Sequence, residues 1–434
     1  MASPRLLLGL ALASVQSLLG PLKATACSWI LFNRNDYPVL PARTLDWAHP
    51  FDDYLLVNPR GQVMDGGAGR ETSKSWVSKY GSVAASVNGW LSKQVSNFTG
   101  ERFDFFRDGA SEAINEVGLA AHILYLEVTD YPRLLRKAAG VSYMRWVRYI
   151  VDNFATVSEA LAGMRDVQIA GVKIINDAFP AGAAMGIHLA MEDKSGDAAI
   201  IEIEHGHLRI YHGRSQNYSV MTNDPVLPAQ LDNLQRYRPF GGTEELPGDT
   251  TGMDRFVRLT YYLKYVLVSY DSTEMAGYLR SIIMSAAVPQ GAPDTESAGY
   301  AVSPTWWVSI MDFSKNLYYW SWTLNPNVIW VDLALLERDG WFAEGKPYGL
   351  LNPRAETLAG DVSKAFVEHG AGHSDQSLST MADAHTQRNA ALMLTIGTLL
   401  LVVGGVIPRQ VWTRLCFAGR GVEESLGSYK ASLL

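Results

Sequence analysis

Short β-rich runs separated by turn residues fill the first third of the chain, then give way to helical periodicity, and strands return near the end. Residues 28–33, 39–45 and 54–58 are runs of this kind, with Asn35-Asp36 and Asp52-Asp53 as turn signals between them. Residues 75–87 form a further strand region, and residues 113–126 read as two apolar runs joined by the turn Asn115-Glu116-Val117-Gly118. Met144, Val147, Ile150, Val151 and Phe154 recur at helical spacing, followed by a second helical stretch over 157–164. Strands are expected at 186–191, 198–203, 208–211, 306–311, 317–322 and 328–331. A helix is expected at 253–268, with Phe256, Leu259, Tyr262 and Leu263 on one face. Strands, then helices, then strands predict a layered α+β domain rather than a doubly wound parallel sheet.

Both ends depart from this pattern. Arg5 precedes an apolar run that ends at Gly20-Pro21, and Ala24-Thr25-Ala26 follows, the small-x-small pattern of a signal-peptidase site. Residues 1–26 are therefore expected to be a signal peptide; the alternative is a first core helix. Residues 390–407 are eighteen positions without a charge, at the lower limit of about 17–25 for a spanning helix. Arg409, Arg414, Arg420 and Lys430 lie beyond it, which favours a cytoplasmic tail over 409–434 and an exported body. A buried helix remains the alternative, given Gly404-Gly405. The expected plan is a catalytic domain at 27–353, a polar linker at 354–389 and a transmembrane helix at 390–408. The expected localisation is exported, periplasmic or extracellular/lumenal, with a membrane anchor at the C-terminal helix.

The formal charge of -7 is spread along the chain, so there is no basic face for nucleic acid. The only cysteines, Cys27 and Cys416, lie at opposite ends, which makes a disulfide-stapled fold improbable. There is no G-x-S-x-G elbow, P-loop or H-E-x-x-H. His205-Gly206-His207 with nearby His212 suggests a metal, but alternating residues at a solvated strand end explain it better. Cys27 differs because the expected cleavage would leave its thiol and a free α-amine on one residue, a nucleophile and a base together. The amine's ordinary pKa of about 7.7–8.0 leaves much of it neutral near pH 7–8. The competing readings are a buried cysteine opening a strand, or a lipoprotein; Ala24 stands where a lipobox would prefer Leu.

Arg43 and Asp46 follow Cys27 by sixteen and nineteen residues, in Pro41-Ala42-Arg43-Thr44-Leu45-Asp46-Trp47. Then come Asp108-Gly109 and Ile114-Asn115-Glu116-Val117-Gly118-Leu119; Tyr125; Met221-Thr222-Asn223-Asp224-Pro225; and Leu246-Pro247-Gly248-Asp249 leading to Asp254-Arg255-Phe256. In this order the blocks resemble the choloylglycine hydrolase family, which includes bile salt hydrolases and penicillin V acylases. The motifs concerned are G-R-x-x-D after a mature N-terminal Cys, D-G-x-N-E-x-G-L (with a short insertion here), T-N-x-P and L-P-G-D…S-R-F. Ala42 replaces the usual Gly, and Asp254 the usual Ser. The match runs from Cys27 to about Leu335.

The resemblance implies the four-layer αββα sandwich of N-terminal nucleophile (Ntn) hydrolases, two antiparallel sheets between helical layers. It implies hydrolysis of a linear amide in a small-molecule N-acyl substrate through a thioester. Cys27 would be the nucleophile, Arg43 the cation beside the sulfur, and Asp46 the acceptor for the α-amine. Asn223 and Tyr125 would stabilise the oxyanion, and Arg255 would support the polar network. Trp47, Phe51 and Trp90, with Phe103, Phe105 and Phe106, are candidates for an apolar acyl pocket or for core. Tyr125 leans toward the penicillin V acylase or acyl-homoserine-lactone acylase type. No metal or cofactor is implied, and a homo-oligomer stays open, because the segment from Asn223 to Arg255 is shorter than in many bile salt hydrolases. A membrane-tethered binding protein without turnover is the rival reading. On a regular strand Arg43 and Asp46 should face opposite sides, so service to one cysteine calls for a bulge or strand end near Thr44-Leu45.

Overall fold

The computed structural model describes residues 27–48, 50–51, 53–68, 73–86, 109–135, 139–173, 184–292 and 303–369. The expected signal peptide, most of the expected linker, the apolar span and the tail lie outside these residues, as do Trp90, Phe103, Phe105, Phe106 and Asp108. Among the described residues no helix is long and apolar enough to cross a membrane.

Strands run in chain order as β1 (Ser28–Phe32), β2 (Leu40–Asp46), β3 (Leu55–Asn58), β4 (Val63–Asp65), β5 (Ser75–Val77), β6 (Ser82–Ser86), β7 (Ala110–Asn115) and β8 (Leu119–Tyr125). Then come β9 (Gly140–Ser142), β10 (Gln168–Ala170), β11 (Ile187–Asp193), β12 (Ala198–Glu204), β13 (His207–His212) and β14 (Val220–Thr222). The last are β15 (Thr305–Asp312), β16 (Leu317–Trp322), β17 (Ile329–Asp332), β18 (Gly349–Leu351), β19 (Gly360–Asp361) and β20 (Val367–Glu368). One sheet has the order β14-β1-β2-β15-β16-β17-β19; the other has the order β13-β12-β11-β8-β7-β6-β3-β18-β20. Both are antiparallel, apart from the β17–β19 pair at the edge of the first.

Strand alternation sorts the apolar side chains into layers. Ile114, Ala120, Leu124, Ala190 and Ile200 of the second sheet share a buried cluster with Trp29, Leu45, Trp307 and Tyr318 of the first. Their neighbours Ala113, Ala121, Leu189, Met191 and Ile201 face the other way, onto Trp146, Val147 and Ile150 of the Trp146–Asn153 helix. The first sheet is covered in turn by the Gly252–Tyr265 and Ser272–Met284 helices, through Phe256, Leu259, Met275, Leu279 and Ile283. The layers are therefore helix, sheet, sheet, helix.

Two sequence expectations need correction. The stretch 354–369 is not linker: β19 and β20 add to the edges of the two sheets, and Val362 and Phe366 are buried. Two-residue edge strands are too short to show a period of two, which is why composition alone read them as linker. The region 75–87 is two strands in different sheets, since β5 pairs with β4 and β6 with β3 and β7.

Candidate active site

The β1–β2 hairpin explains the spacing of the first motif. Ser28 stands opposite Thr44 on β2 and opposite Thr222 on β14. Extending both registers by one residue brings Cys27 between Leu45 and Asn223, at the start of a strand one in from the sheet edge. Cys27 is buried, and its Sγ lies 3.4 Å from the Asp46 backbone N–H donor and 3.5 Å from the Asp46 carbonyl oxygen. Burial holds the thiol pKa above its ordinary value, against the pull of the Arg43 charge and hydrogen bond; the Asp46 charge adds to the rise while its backbone hydrogen bond opposes it.

β2 itself is unbroken. Arg43 and Asp46 do face opposite ways, as period two demands. The Arg43 guanidinium enters the space between the sheets, where Nη1 donates to the Ser111 carbonyl at 2.6 Å, lies 3.8 Å from Glu112 Oε2, and stacks over Trp307. The Asp46 carboxylate sits on the helix side. It accepts from Thr44 Oγ1 at 3.1 Å, Thr305 Oγ1 at 2.5 Å and Arg255 Nη1 at 2.5 Å. Thr44 Oγ1 also accepts from the Ser28 N–H at 3.0 Å, which ties the carboxylate to the start of β1. Burial raises the Asp46 pKa against the pull of Arg255 and both hydroxyls. The irregularities lie in the neighbouring strands. The β2–β15 register shifts between Thr305 and Trp307, opposite Asp46 and Leu45. A second shift leaves Ser111 extra in β7, and its carbonyl is the one Arg43 binds. Bulges of this kind re-aim side chains next to sites.

Arg255 reaches Asp46 from the first turn of the Gly252–Tyr265 helix, capped by Thr251 Oγ1, and Nη1 also donates to the Ala286 carbonyl at 3.3 Å. Asp254, in place of the family's Ser, accepts from the Asp249 N–H at 3.0 Å, so the departure is absorbed locally. The helix start presses on the Asn223 segment. A Cβ on Gly252 would come 2.3 Å from the Asp224 carbonyl oxygen. The Asp224 carboxylate in turn accepts from the Glu127 N–H at 3.0 Å, which fastens the segment after β14 to the end of β8. Asn223 is 1% exposed. Tyr125 closes β8 with its pKa pushed up to about 12 by burial, Glu127 and Asp224, so its phenol stays a donor at neutral pH.

Trp47, next to Asp46, packs edge-on to Tyr125 at 5.9 Å and stacks on Phe51 at 5.5 Å between ring centroids. The Trp47 carbonyl accepts from Trp306 Nε1 at 2.7 Å. These three rings form an aromatic group beside the site, although Phe51 itself is buried. His205 and Gly206 form the β12–β13 turn at positive φ, and His212 pairs with Asp197 at 2.9 Å, so the histidine pattern is surface structure.

Glu112, 3.8 Å from Arg43, is a neighbour of the candidate site that the sequence motifs as read above do not include. Glu112-Ala113-Ile114-Asn115-Glu116-Val117-Gly118-Leu119 has the spacing of D-G-x-N-E-x-G-L with no insertion, and Glu112 takes the acid's place. It went unnoticed because Asp108-Gly109 offers the literal dipeptide a few residues earlier.

This fold, with a cysteine at the head of an interior strand and an Arg and an Asp beside it, is that of an Ntn hydrolase. A family model for linear amide C–N hydrolases, the choloylglycine hydrolase family, matches residues 27–340. A penicillin V acylase of Pectobacterium atrosepticum is 33% identical over 345 residues, covering 74% of this chain and 85% of that protein. A bile salt hydrolase/transferase of Bifidobacterium longum is 22% identical over 54% of this chain and 73% of its own length. The solved penicillin V acylase of Agrobacterium tumefaciens superposes with a TM-score of 0.65 at 31% identity, covering 79% of this chain and 97% of its own. A conjugated bile acid hydrolase variant of Clostridium perfringens shares the fold, with a TM-score of 0.59 at 18% identity over 79% of this chain and all of its own. The chain belongs to the choloylglycine hydrolase family and is an amidohydrolase acting on linear amides.

Proposed function

We propose that, once residues 1–26 are removed, the protein hydrolyses small N-acyl amides with an apolar acyl group, using Cys27 as an N-terminal nucleophile. The observation that carries this reading is the placement of Cys27 Sγ on the Asp46 backbone with Arg43 as its facing cation.

The Cys27 sulfur attacks the amide carbonyl carbon, and its proton passes to the α-amine. Collapse of the tetrahedral intermediate breaks the C–N bond, and the same amine gives that proton to the leaving nitrogen. Water, deprotonated by the α-amine, then attacks the thioester; the acid leaves and the thiol is restored. Arg43 favours the thiolate against the cost of burial. Asp46 holds the amine's position, and Arg255 holds Asp46. The Asn223 side chain and the Tyr125 hydroxyl stabilise the oxyanion, where losing one donor costs about 2.7–4 kcal/mol. Trp47 offers the acyl group an aromatic wall. Phenoxyacetyl amides are the first substrates to test, because Tyr125 and the similarity to penicillin V acylases both favour that type. The reading includes export and a C-terminal membrane anchor, supported by the apolar sequences at both ends.

Intact-mass analysis of the mature N-terminus, paired with turnover of a chromogenic phenoxyacetyl amide, tests the proposal. A free Cys27 and loss of turnover in Cys27→Ala are expected. An acylated Cys27, an uncleaved Met1, or turnover that survives Cys27→Ala would overturn it; the first of these would mark a lipoprotein. A free Cys27 without turnover of any N-acyl amide would leave the binding-protein reading.

A further inference from the structure

Between the two sheets lies an ionic cluster that the proposed mechanism leaves unused. Glu112 on β7, His122 on β8 and Glu192 on β11 are each no more than 1% exposed. His122 Nδ1 lies 2.8 Å from Glu112 Oε2, and its Nε2 lies 2.8 Å from Glu192 Oε1. The other Glu112 oxygen accepts from the Tyr318 hydroxyl at 2.6 Å. Arg43 stands 3.8 Å from Glu112 on the side toward the nucleophile.

The protons in this cluster can be counted from geometry. A ring nitrogen and a carboxylate oxygen at hydrogen-bond distance need one proton between them, so two such contacts need two protons. An imidazolium between two carboxylates, or an imidazole with one carboxylic acid, satisfies this, and both carry a net charge of about -1. That charge offsets the Arg43 guanidinium. Buried charge of one sign without compensation is costly, so the pairing accounts for a fixed cation deep between the sheets.

We propose that Glu112, braced by His122, Glu192 and Tyr318, is a positioning residue for Arg43, fixing the guanidinium and the share of its charge that reaches Cys27. The inference rests on Cys27 being the nucleophile. The charged and titratable neighbours are few. Cys27 faces Arg43 and Asp46; Arg43 faces Glu112 and Asp53; Glu192 also feels Asp193; and Tyr318 also feels Asp53. Of these, Glu112 is the carboxylate that stands 3.8 Å from Arg43 as an ion pair while itself held by hydrogen bonds from Tyr318 and His122. Without its carboxylate, more of the Arg43 charge acts on the sulfur. The thiol becomes more acidic, and the guanidinium loses the carboxylate that fixes it beside the sulfur, so the loss of turnover reports lost positioning.

The test is the pH dependence of iodoacetamide alkylation of mature full-length protein, read on the Cys27 peptide so that Cys416 does not contribute. It is measured beside kcat/KM on the phenoxyacetyl amide. In Glu112→Gln the alkylation midpoint should fall by about one pH unit and kcat/KM by about tenfold. Glu112→Asp keeps the charge but draws it back by one methylene. It should show a smaller fall of both and remain readable should the Gln variant fail to fold. A midpoint and kcat/KM equal to wild type in Glu112→Asp, or a lowered melting temperature with an unmoved midpoint in Glu112→Gln, overturns the proposal. Alkylation reads the thiol without turnover, so an unshifted midpoint condemns the positioning role, whereas activity surviving Cys27→Ala condemns the nucleophile assignment.

Discussion

Asp46→Asn is the perturbation whose cost the structure defines best. The carboxylate is buried and takes three donors, from Arg255 at 2.5 Å, Thr305 at 2.5 Å and Thr44 at 3.1 Å. Asparagine preserves the shape, so no cavity forms and steric terms drop out. What changes is that Arg255, itself 0% exposed, keeps its charge without a counterion. Removing one partner of a buried ion pair costs about 3–5 kcal/mol, mostly as the penalty of the stranded charge. In a domain of this size about 1 kcal/mol moves Tm by roughly 2 °C, so a fall of about 6–10 °C is expected. Calorimetry on Asp46→Asn, Arg255→Met and the double variant separates the pair term from local damage. The double variant should be less destabilised than the two singles summed, by about 0.5–3 kcal/mol. An Asp46→Asn protein melting within 2 °C of wild type, or strict additivity in the cycle, would refute the claim that these residues form one buried unit.

Burial alone would lower the His122 pKa, but Glu192 and Glu112 outweigh it and raise it to about 9. A histidine raised above its unfolded value stabilises the fold fully below about pH 6.5, and that contribution is lost as pH rises to about 9. The stake is about 3 kcal/mol, so wild type should lose urea resistance between pH 6 and 9.5 and His122→Gln should not; parallel curves would contradict the pairing. Gly252→Ala forces a Cβ to within 2.3 Å of a backbone oxygen. Such overpacking costs about 1–3 kcal/mol, and the displaced Asn223 segment should lower kcat; unaltered activity and Tm would show that the helix start is not braced there. Tyr125→Phe removes the proposed oxyanion donor while keeping the ring against Trp47. A fall in kcat of about 100-fold with KM steady is expected, and a pure KM effect would reassign Tyr125 to binding.

The first motif was legible through the family resemblance, because Cys27, Arg43 and Asp46 stand at its spacing in one short segment. In the fold the β1–β2 pairing, extended by one residue, places Cys27 opposite Leu45, which sets Arg43 and Asp46 close to it without any long-range contact. The helical pair at 146–163 and the β7–β8 hairpin were equally plain from period and turn signals. The Ser272–Met284 helix was missed, although Asp271 caps it and Met275, Leu279, Ile282 and Ile283 hold its buried face. Its signal was present, but no motif drew attention to it.

What lay beyond the sequence is non-local. Arg43 and Asp46 point to opposite faces of an unbroken β2 that ends at Asp46, and of the expected bulge or strand end the fold supplies the strand end, with the irregularities lying in β15, opposite Leu45 and Asp46, and in β7. The two faces follow from what an N-terminal cysteine would need. The thiol calls for a cation, which the inter-sheet space supplies with a buried acid behind it; the amine calls for an acceptor, which the helix side supplies with Arg255 behind it. Each first partner therefore carries its own counter-charge, one drawn from β7 and one from a helix more than two hundred residues away in sequence. A motif records the pair on β2. Only the layered fold brings the counter-charges to it, Glu112 to Arg43 between the sheets and Arg255 to Asp46 on the helix side.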